Sequence, residues 1–506
     1  MFVSPPGWGV PEGNNGWRRN FYSLSNMPSS LRNVPMTKPS PSCWQSVVSM
    51  ATLLAVCTPA LAQGLDYAQA LQQAQEASGQ VRNARMDAQA KDLKAEALAN
   101  LGGPALSLSG FSGRVATTFN FDISPLANAA GSLGSVVPGG LSIPPIPNAV
   151  SVNRTFNLHS LGLTANWPIY TGGRLEAIHG LEAGKADEAR AEARDVEDKM
   201  STTVAQRYFS LQLATHAVQL RSAAAKGIAE HQHAAQRLEA TGLIATAERL
   251  KADVALDGAR RDLARSQSDF EIAQVALTRL LGAASPAPLT TPLFVNSASV
   301  GTLQSFIDAG LANNPAWDKI ASKRTQADQA LKLQTGGQLP TVLAIGNYNF
   351  NRSSDRLVQP NWAVGILVSV PLLDRIDRAK MKEAAILDQQ RVSALEEQAQ
   401  RDVPTLIESQ WRALQNARAQ FLSMDSTIRL ARENLRMQTV SFQQSQSTSL
   451  DLTDARLNLL KVDTERVQAA YDYVMALARL LEAIGQPQRL AEFAQSADIK
   501  IALPAE

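Results

Sequence analysis

Two segments of the chain alternate apolar residues with small or polar ones, which is typical of β-strands that have one apolar face. They are residues 160–168 and, 203 positions later, residues 363–371. The apolar positions of the second segment are Val364, Ile366, Val368 and Val370. Because proline cannot donate to a β-ladder, Pro168 and Pro371 predict the points at which these strands stop.

A long and then a shorter helical pattern follow each strand. Apolar residues recur at every seventh position of the long helices, at Val204, Leu211, Val218 and Ala225 and at Ile407, Leu414, Phe421, Ile428, Leu435 and Phe442. The shorter helices repeat this spacing at Leu256, Leu263, Phe270 and Leu277 and at Leu459, Arg466, Tyr473 and Leu480. The spacing predicts coiled-coil seams. Gly282 and Gly485 predict the helix ends, since glycine readily adopts the left-handed conformation of a helix C-terminus.

The chain is internally duplicated, because residues 160–282 correspond without a gap to residues 363–485. Each half is predicted to contain helix, helix, strand, strand, long helix and shorter helix, so the fold class is mainly α with a small β portion. The first long helix, about residues 174–239, would extend on the order of 100 Å. We assign residues 63–285 to a first repeat, 286–490 to a second and 491–506 to a C-terminal tail.

The two halves differ in length between their strands. The helices and first strand of each half correspond at an offset of 236 instead of 203, so the first half carries 33 additional residues there. Most of this surplus falls at about residues 131–150, which are rich in Gly, Ser and Pro and are predicted to form a surface loop. Phe119, Phe121 and Ile123 are predicted to prolong the preceding strand.

Residues 1–62 are predicted to be an N-terminal extension and a signal peptide. The apolar run 47–62 is short for a membrane helix and ends in a small-x-small pattern, Ala60-Leu61-Ala62-Gln63. Met36 or Met27 is the expected true start. An alternative is lipidation at Cys57, although the valine before it is bulky for that motif. Signal cleavage would remove both cysteines, Cys43 and Cys57, which fits an exported protein without thiols.

Composition and residue spacing argue against several classes of function. The net charge of +2 gives no indication of a nucleic-acid partner. His231 and His233 point to different faces of a helix, and the other three histidines are scattered, so no metal site is expected. Residues 171–174, Thr-Gly-Gly-Arg, lack the spacing of a phosphate-binding loop. No nucleophile or carboxylate pair has a recognisable catalytic partner, so we expect neither an enzyme nor a cofactor.

Two strands in each half give four in one chain. A closed membrane barrel needs about eight or more strands, because open strand edges are not tolerated in lipid. A ring of several identical chains would close such a barrel, with Ser160, Gly162, Thr164 and Asn166 facing inward. Aromatic residues near the strand ends suit the interfacial belts of membrane proteins; they are Trp167, Tyr170, Tyr348, Phe350 and Trp362.

The chain resembles the TolC-like outer membrane efflux protein family over nearly all of residues 64–490. The resemblance is carried by Asn166-Trp167-Pro168-Ile169-Tyr170-Thr171-Gly172-Gly173-Arg174, by Leu311-Ala312-Asn313-Asn314-Pro315, by Gly242-Leu243 and by Asp451-Leu452-Thr453-Asp454-Ala455. It implies a homotrimer in the outer membrane of a Gram-negative cell, with a twelve-stranded β-barrel joined to a long periplasmic α-barrel tunnel. Such proteins are passive exit ducts that work with a periplasmic adaptor and an inner-membrane pump, and they export small molecules or polypeptides.

The resemblance also places a pore constriction at the periplasmic tip, where long and shorter helices meet at residues 240–248 and 445–454. Asp451 and Asp454 match the family's pair of pore-facing acids, and Glu248 lies at the equivalent place in the first half. Alternatively these acids serve the helix dipole, with Ser449 as the cap. Ser447 and Ala247 depart from the arginine and threonine with which some relatives latch the closed tip.

A second candidate site is the strand-to-helix exit formed by Pro168, Gly172, Gly173 and Pro371. Its expected role is to let a strand turn into a helix. Two other functions fit long heptads: a periplasmic adaptor with a helical hairpin, and a structural coiled-coil protein without a pore. The duplication of strands together with helices favours the duct, and the exported substrate and the pump class are left open.

Overall fold

The computed structural model describes residues 64–134, 146–283, 287–350, 361–373, 375–444 and 446–501. The predicted extension and signal peptide, with Cys43, Cys57 and the alternative starts Met27 and Met36, lie outside the described residues. So does most of the predicted surface loop, at 135–145.

Among the described residues, the first repeat contains five helices and two long strands. They are α1 (Tyr67–Ala77), α2 (Gly79–Ala97), β1 (Ala105–Asp122), α3 (Ser124–Gly134), β2 (Ala149–Tyr170), α4 (Arg174–Ala240) and α5 (Thr246–Leu280). The second repeat and the C-terminal residues contain β3 (Leu293–Val295), α6 (Leu303–Asn313), α7 (Pro315–Gly336), β4 (Thr341–Asn349), β5 (Trp362–Ser369), α8 (Arg378–Gln443), α9 (Ser449–Ala483), a 3-10 helix (Pro487–Arg489), α10 (Leu490–Ser496) and β6 (Ile499–Ile501).

The predicted elements occur in the predicted order in both halves, with two additions: helix α3 between the strands of the first half and strand β3 before α6 in the second. The helices α1 and α6 have 11 residues each, and α5 and α9 have 35 each. The long helices α4 and α8 have 67 and 66 residues. Gly282 and Gly485 both have positive φ, +62° and +70°, directly after α5 and α9. Backbone N–H groups of Ala283 and Gln486 then bond to carbonyls five residues back, as in a Schellman motif.

The long helix α4 is central to the packing. It contacts α2 and α7 along its first part and α5 and α9 along its second, while α8 packs against α6, α7 and α9. The predicted heptad seam of α8 is confirmed, since Ile407, Leu414, Phe421, Ile428 and Phe442 are buried. Arg466, which occupies one heptad position of α9, lies with its guanidinium 5.1 Å from the centre of the Phe421 ring. No helix among the described residues combines the length and apolar character needed to cross a membrane.

The main hydrophobic core surrounds four aromatic residues. Phe209 is fully buried, and its ring centre lies 5.6 Å from Tyr67, 5.2 Å from Tyr208 and 6.0 Å from Phe294. The Tyr208 hydroxyl donates to the Leu65 carbonyl at 2.8 Å, so the start of the described chain is bound to α4. The short strands β3 and β6 pair antiparallel beside this cluster and hold the C-terminal residues against it.

The four long strands form one antiparallel sheet in the order β1-β2-β4-β5. The ladder between β1 and β2 runs from Ala105–Asn166 to Asp122–Ala149. Phe119 and Phe121 therefore prolong β1 as predicted. The prediction of a loop over 131–150 was wrong at both ends: the helix α3 extends to Gly134 and β2 begins at Ala149. Continuous pairing of both strands satisfies backbone groups that a loop would leave to water.

The prediction that Pro168 stops its strand was also wrong. β2 continues to Tyr170, with a bulge between Pro168 and Tyr170 in its pairing with β4. The ladder with β1 begins only at Asn166, so Pro168 is paired on one side. A missing N–H is tolerated at such an edge position. In the second half β5 ends at Ser369, before Pro371, as predicted.

Candidate functional site

The tip of the two helical hairpins is formed by the turns between α4 and α5 and between α8 and α9. In the first turn, Gly242 has φ +71° and Leu243 N–H bonds to the Leu238 carbonyl at 2.8 Å, which ends α4 abruptly. In the second, Gln446 N–H bonds to the Ser441 carbonyl at 2.8 Å. Beneath the turns, Ala235, Ala252, Phe442 and Leu452 form a small apolar cluster that joins the hairpins.

Asp451 lies in the first turn of α9 and takes part in a capping box with Thr448. Its N–H donates to Thr448 Oγ1 at 3.2 Å, and its Oδ2 accepts from the Thr448 N–H at 3.0 Å and from the Thr448 hydroxyl at 2.7 Å. The hydroxyl hydrogen bond and then the backbone one lower the pKa of Asp451. The helix cap is thus Thr448, and the expectation that Ser449 caps α9 was wrong because Ser449 is turned inward.

Glu248 connects the two hairpins. Its Oε2 accepts from the Ser449 N–H at 3.0 Å, so a side chain of α5 satisfies a backbone donor at the start of α9. Its Oε1 pairs with Lys251 Nζ at 2.7 Å. The hydrogen bond from Lys251 is the largest cause that lowers the pKa of Glu248, and it outweighs partial burial. Glu248 is therefore ionised at neutral pH and shared between both hairpins.

Asp454 is exposed three residues after Asp451, so both carboxylates lie on one side of the first turns of α9. In the first hairpin, 203 residues earlier, Glu248 is at the position that corresponds to Asp451, and Lys251 is at the position that corresponds to Asp454. Of the two residues that depart from the family pattern, Ser447 donates to the Gln438 carbonyl at 3.4 Å within its own hairpin, and Ala247 is exposed.

Sequence reasoning missed a buried contact behind the acids. His231 on α4 lies 2.7 Å from the Ser449 hydroxyl through Nε2, and its ring meets the Phe442 ring edge-on at 4.5 Å. Burial, followed by the charge of Arg456, lowers the pKa of His231 to about 4. His231 is thus a neutral residue that joins α4 to the start of α9.

Arg456 fills the remaining space beside His231. A Cβ at Gly227 would lie 1.9 Å from Arg456 Nη1, so α4 carries a glycine where the guanidinium crosses it. Within the described residues, neither Arg456 Nε nor His231 Nδ1 has a hydrogen-bond partner. The only sequence signal for this contact is the pairing of a glycine and a histidine four residues apart on α4.

The strand-to-helix exit differs between the repeats. In the first, Gly172 and Gly173 both have positive φ, +65° and +79°, and α4 begins at the next residue. A Cβ at Gly172 would lie 2.7 Å from the Gly336 carbonyl oxygen, so this turn is packed against the end of α7. In the second, α8 begins only at Arg378, with the Asp377 side chain accepting from the Lys380 N–H as its cap. The turn of two glycines between strand and long helix therefore occurs in the first repeat and not at the corresponding place in the second.

The sheet has one apolar and one polar face over the part in which all four strands pair. Register places the following residues on the apolar face, and most are well exposed: Leu106, Leu108, Leu161, Leu163, Trp167, Val342, Tyr348, Trp362, Val364, Ile366 and Val368. The bulge after Pro168 brings Tyr170 opposite Val342 and so onto this face. The aromatic residues therefore lie near both ends of the apolar face.

The polar face contains the residues predicted to face inward. Ser160, Gly162, Thr164 and Asn166 lie there, and Asn347 Nδ2 donates to Thr164 Oγ1 at 3.2 Å across the strands. Leu343, Ile345 and Leu367 are its apolar members near the helix end of the sheet. Among the described residues, no group of three or more His, Cys, Asp or Glu side chains could hold a metal ion.

The chain is similar to outer-membrane efflux channels in sequence and in fold. Residues 70–283 match the family model described as outer membrane efflux protein. The chain is 24% identical over 300 residues to the cobalt-zinc-cadmium resistance protein CzcC of Cupriavidus metallidurans, covering 58% of this chain and 70% of CzcC. It is 21% identical over 359 residues to the outer membrane protein TolC of Vibrio cholerae, covering 69% and 82%.

The fold agrees with solved channels. The open state of the MtrE outer membrane channel of Neisseria gonorrhoeae matches with a TM-score of 0.67 at 17% identity, covering 83% of this chain and 89% of MtrE. The VceC outer membrane protein of Vibrio cholerae matches with a TM-score of 0.65 at 15% identity, covering 83% and 96%.

Proposed function

We infer that this chain belongs to the TolC-like outer membrane efflux protein family and acts as a homotrimeric exit duct of a tripartite efflux or type I secretion system. It lies in the outer membrane, and its family consists of channel proteins. A periplasmic adaptor and an inner-membrane pump would deliver small molecules or polypeptides to it. The duct itself is passive, and the pump selects the cargo.

The observation that carries this proposal is the open four-stranded sheet with one apolar face. Its outer strands β1 and β5 each pair on one side only within the described residues. Lipid does not tolerate such open edges, since each unpaired backbone group costs several kcal/mol there. Three copies placed edge to edge would close a twelve-stranded barrel with the apolar faces outward and the polar faces around a pore. The sheet is attached at Tyr170 and Ser369 to helices of sufficient length for a periplasmic tunnel.

The mass of the detergent-solubilised protein, together with its conductance in planar bilayers, tests the proposal. We expect a trimer that resists dissociation until it is heated and that opens single channels. A membrane-embedded monomer would contradict it. A periplasmic adaptor would fail to fractionate with outer membrane, and a structural coiled-coil protein would give no conductance.

We further propose that Asp451 and Asp454, with Glu248 behind them, form an acidic ring at the periplasmic constriction. Asp451 and Asp454 are exposed on one side of α9, and the low pKa of Asp451 keeps it charged at neutral pH. Three copies would gather six carboxylates around the axis and attract cations. Glu248 would hold α9 in place through its contact with Ser449.

Block of the channel by a multivalent cation distinguishes this ring from simple helix capping. Asp451→Asn with Asp454→Asn removes the charge but keeps an oxygen that can accept from Thr448. We expect the blocking concentration of the cation to rise on the order of tenfold. The matched control is Asp472→Asn, an exposed acid on the same helix about 32 Å away at 1.5 Å per residue. Equal block in both variants would leave Asp451 and Asp454 with the capping role alone.

A further inference from the structure

The pair of strands β1 and β2 extends far beyond the other two strands. Among the described residues, the ladder of β2 with β4 runs from Tyr170 to Gly162, whereas its ladder with β1 continues for 13 further pairs, from Gly110–Leu161 to Asp122–Ala149. At about 3.3 Å per residue this adds roughly 40 Å of two-stranded ladder. We name the residues 110–122 and 149–161, with α3 at their end, the distal hairpin.

In the distal hairpin, the face that is apolar in the four-stranded part of the sheet becomes polar, and the polar face becomes apolar. Below the distal hairpin, the apolar face carries Leu106, Leu108 and Leu163, and Leu161 stands on this face at the first pair of the hairpin; the face then continues with Ser112, His159, Asn153, Asn120, Ser151 and Asp122. The opposite face is polar below, at Ser107, Ser109 and Thr164, and continues with Phe111, Phe119, Phe121, Val150 and Val152. Register fixes this assignment, because directly opposed residues share a face and neighbours in a strand alternate.

The exchange occurs where the lipid-facing band should end. From Tyr170 to Leu161, β2 extends nine residues, or about 30 Å, which becomes roughly 23 Å of membrane thickness at a strand tilt near 40°. That is close to the apolar band of outer-membrane barrels, about 25 Å. Beyond Leu161 the former apolar face meets water and is polar. The aromatic residues of the distal hairpin lie on the face that continues the polar face of the sheet, which is predicted to line the pore.

These inward aromatic residues are uncovered in a single chain. Phe111, Phe119 and Phe121 are 54%, 49% and 56% exposed, and Phe119 and Phe121 stack on each other at 6.5 Å. Lipid cannot cover them, since they lie on the opposite side of the sheet from the apolar face. A two-stranded ladder is also marginally stable alone and needs a hydrophobic face packed against something else.

We propose that the aromatic faces of three distal hairpins pack against one another around the pore axis and form a hydrophobic collar at the outer end of the duct. This rests on the proposed homotrimer, because the face continues the pore-lining side of the sheet and a threefold axis brings three such faces together. Among the described residues, the part of β2 from Ala149 to Ser160 pairs with β1 alone, so the hairpin is able to lean inward. A hydrophobic constriction of this kind opposes passage of water and ions.

Site-directed cross-linking tests the collar in the assembled trimer. The inward variant is Phe121→Cys, and the matched outward control is Asn120→Cys, its neighbour on the opposite face. Both are made in a background with Cys43→Ser and Cys57→Ser, the only native cysteines. With a short bis-maleimide, we expect covalent dimers of the inward variant at least tenfold more abundant than those of the control. A bulky polyethylene-glycol maleimide added to intact cells should label the control and spare the inward variant.

The oligomeric state of the same samples separates the two proposals. A trimer whose inward cysteine cross-links no more than the control, and is equally labelled, overturns the collar and leaves the duct intact. A monomer of the parent protein, without the introduced cysteine, overturns both. Should Phe121→Cys fail to assemble, the facing pair Val150→Cys and Ser151→Cys provides the same comparison, with the same outcomes deciding it.

Discussion

The two repeats of this chain agree in their helices and differ in their strands. α5 and α9 have 35 residues each and lie 203 positions apart, whereas β1 and β2 have 18 and 22 residues against 9 and 8 for β4 and β5. The helices pack along their whole length against neighbours, so an insertion would displace every later contact. The length of a strand is constrained only in the part of the sheet where all four strands pair side by side. Beyond that level the first hairpin has been free to lengthen.

The repeats also differ in whether a matched position is buried, and this gives the largest predicted effect. Phe209 is fully buried among aromatic rings, while Arg412, 203 positions later, is exposed and paired with Glu408 at 2.6 Å. Phe209→Ala should lower the free energy of unfolding by about 3–5 kcal/mol, because it removes a buried ring and leaves a cavity. Arg412→Ala should change it by less than about 0.5 kcal/mol. Unfolding in denaturant followed by circular dichroism measures both.

A loss from Phe209→Ala as small as that from Arg412→Ala would show that the Phe209 ring does not stabilise the main hydrophobic core, and that β3 and β6 hold this region without it.

The helical frame could be predicted from the sequence because its signals are local and repeated. Heptad spacing located the seam of α8, and the duplication fixed corresponding elements that neither half alone would define. The strand ends were less predictable. Pro168 carries the same local signal as Pro371, but whether proline ends a strand depends on which side of it is paired, and that is decided by strands distant in sequence. The helix α3 lies in a segment whose composition resembles a loop.

The turn from β2 into α4 gives the next largest prediction, again specific to the first repeat. Gly172→Ala should destabilise the protein by about 2 kcal/mol or more, because it combines a left-handed backbone with a clash against the Gly336 carbonyl. Gly173→Ala is the control: its φ is also positive, but a Cβ there meets nothing within 4 Å. It should cost about 1 kcal/mol. Thermal unfolding of the two variants in detergent gives the ranking, and a reversed order would contradict the packed turn.

The candidate site could be predicted only in part. The i, i+3 spacing placed Asp451 and Asp454 on one side of α9, and the duplication placed Glu248 beside them. The bond from Glu248 to the Ser449 backbone and the contact of His231 with the Ser449 hydroxyl join residues about 200 positions apart. No local pattern encodes such pairs. The capping residue was assigned one position too late because Ser449 and Thr448 are equally suitable caps by composition.

Because of His231, we expect the stability of the start of α9 to depend on pH, and that of the start of α5 not to. The pKa of His231 is about 4 in the folded protein and near 6.5 when unfolded, so the neutral form favours folding and stability at the tip is lost as pH falls from about 6.5 toward 4. The groups that face it are Ser449, Phe442 and Arg456. Between pH 7 and pH 5, opening at residues 449–456 should rise on the order of tenfold in hydrogen exchange corrected for intrinsic rates.

The matching position in the second repeat is Asn434, so His231→Asn gives the first repeat the residue of the second. It should abolish the pH dependence at residues 449–456. Exchange at the start of α5 should be insensitive to pH in both proteins. A pH response that survives in His231→Asn would assign it to another group.

The smallest predicted effect concerns the caps of the two shorter helices. Thr448 forms a capping box with Asp451, whereas Ala245, its counterpart before α5, makes no side-chain cap. Thr448→Ala should destabilise the first turn of α9 by about 1 kcal/mol, or about fivefold faster amide exchange there. Ala245→Thr should slow exchange at the start of α5 by a smaller factor, since Glu248 stands at the third position as an acid able to complete a capping box.

Because Glu248 already accepts from Ser449, a new bond to residue 245 would compete with the contact between hairpins. Slower exchange at α5 accompanied by faster exchange at α9 would therefore identify Glu248 as the shared residue of the tip, and faster exchange at neither helix would assign the two caps to independent hairpins.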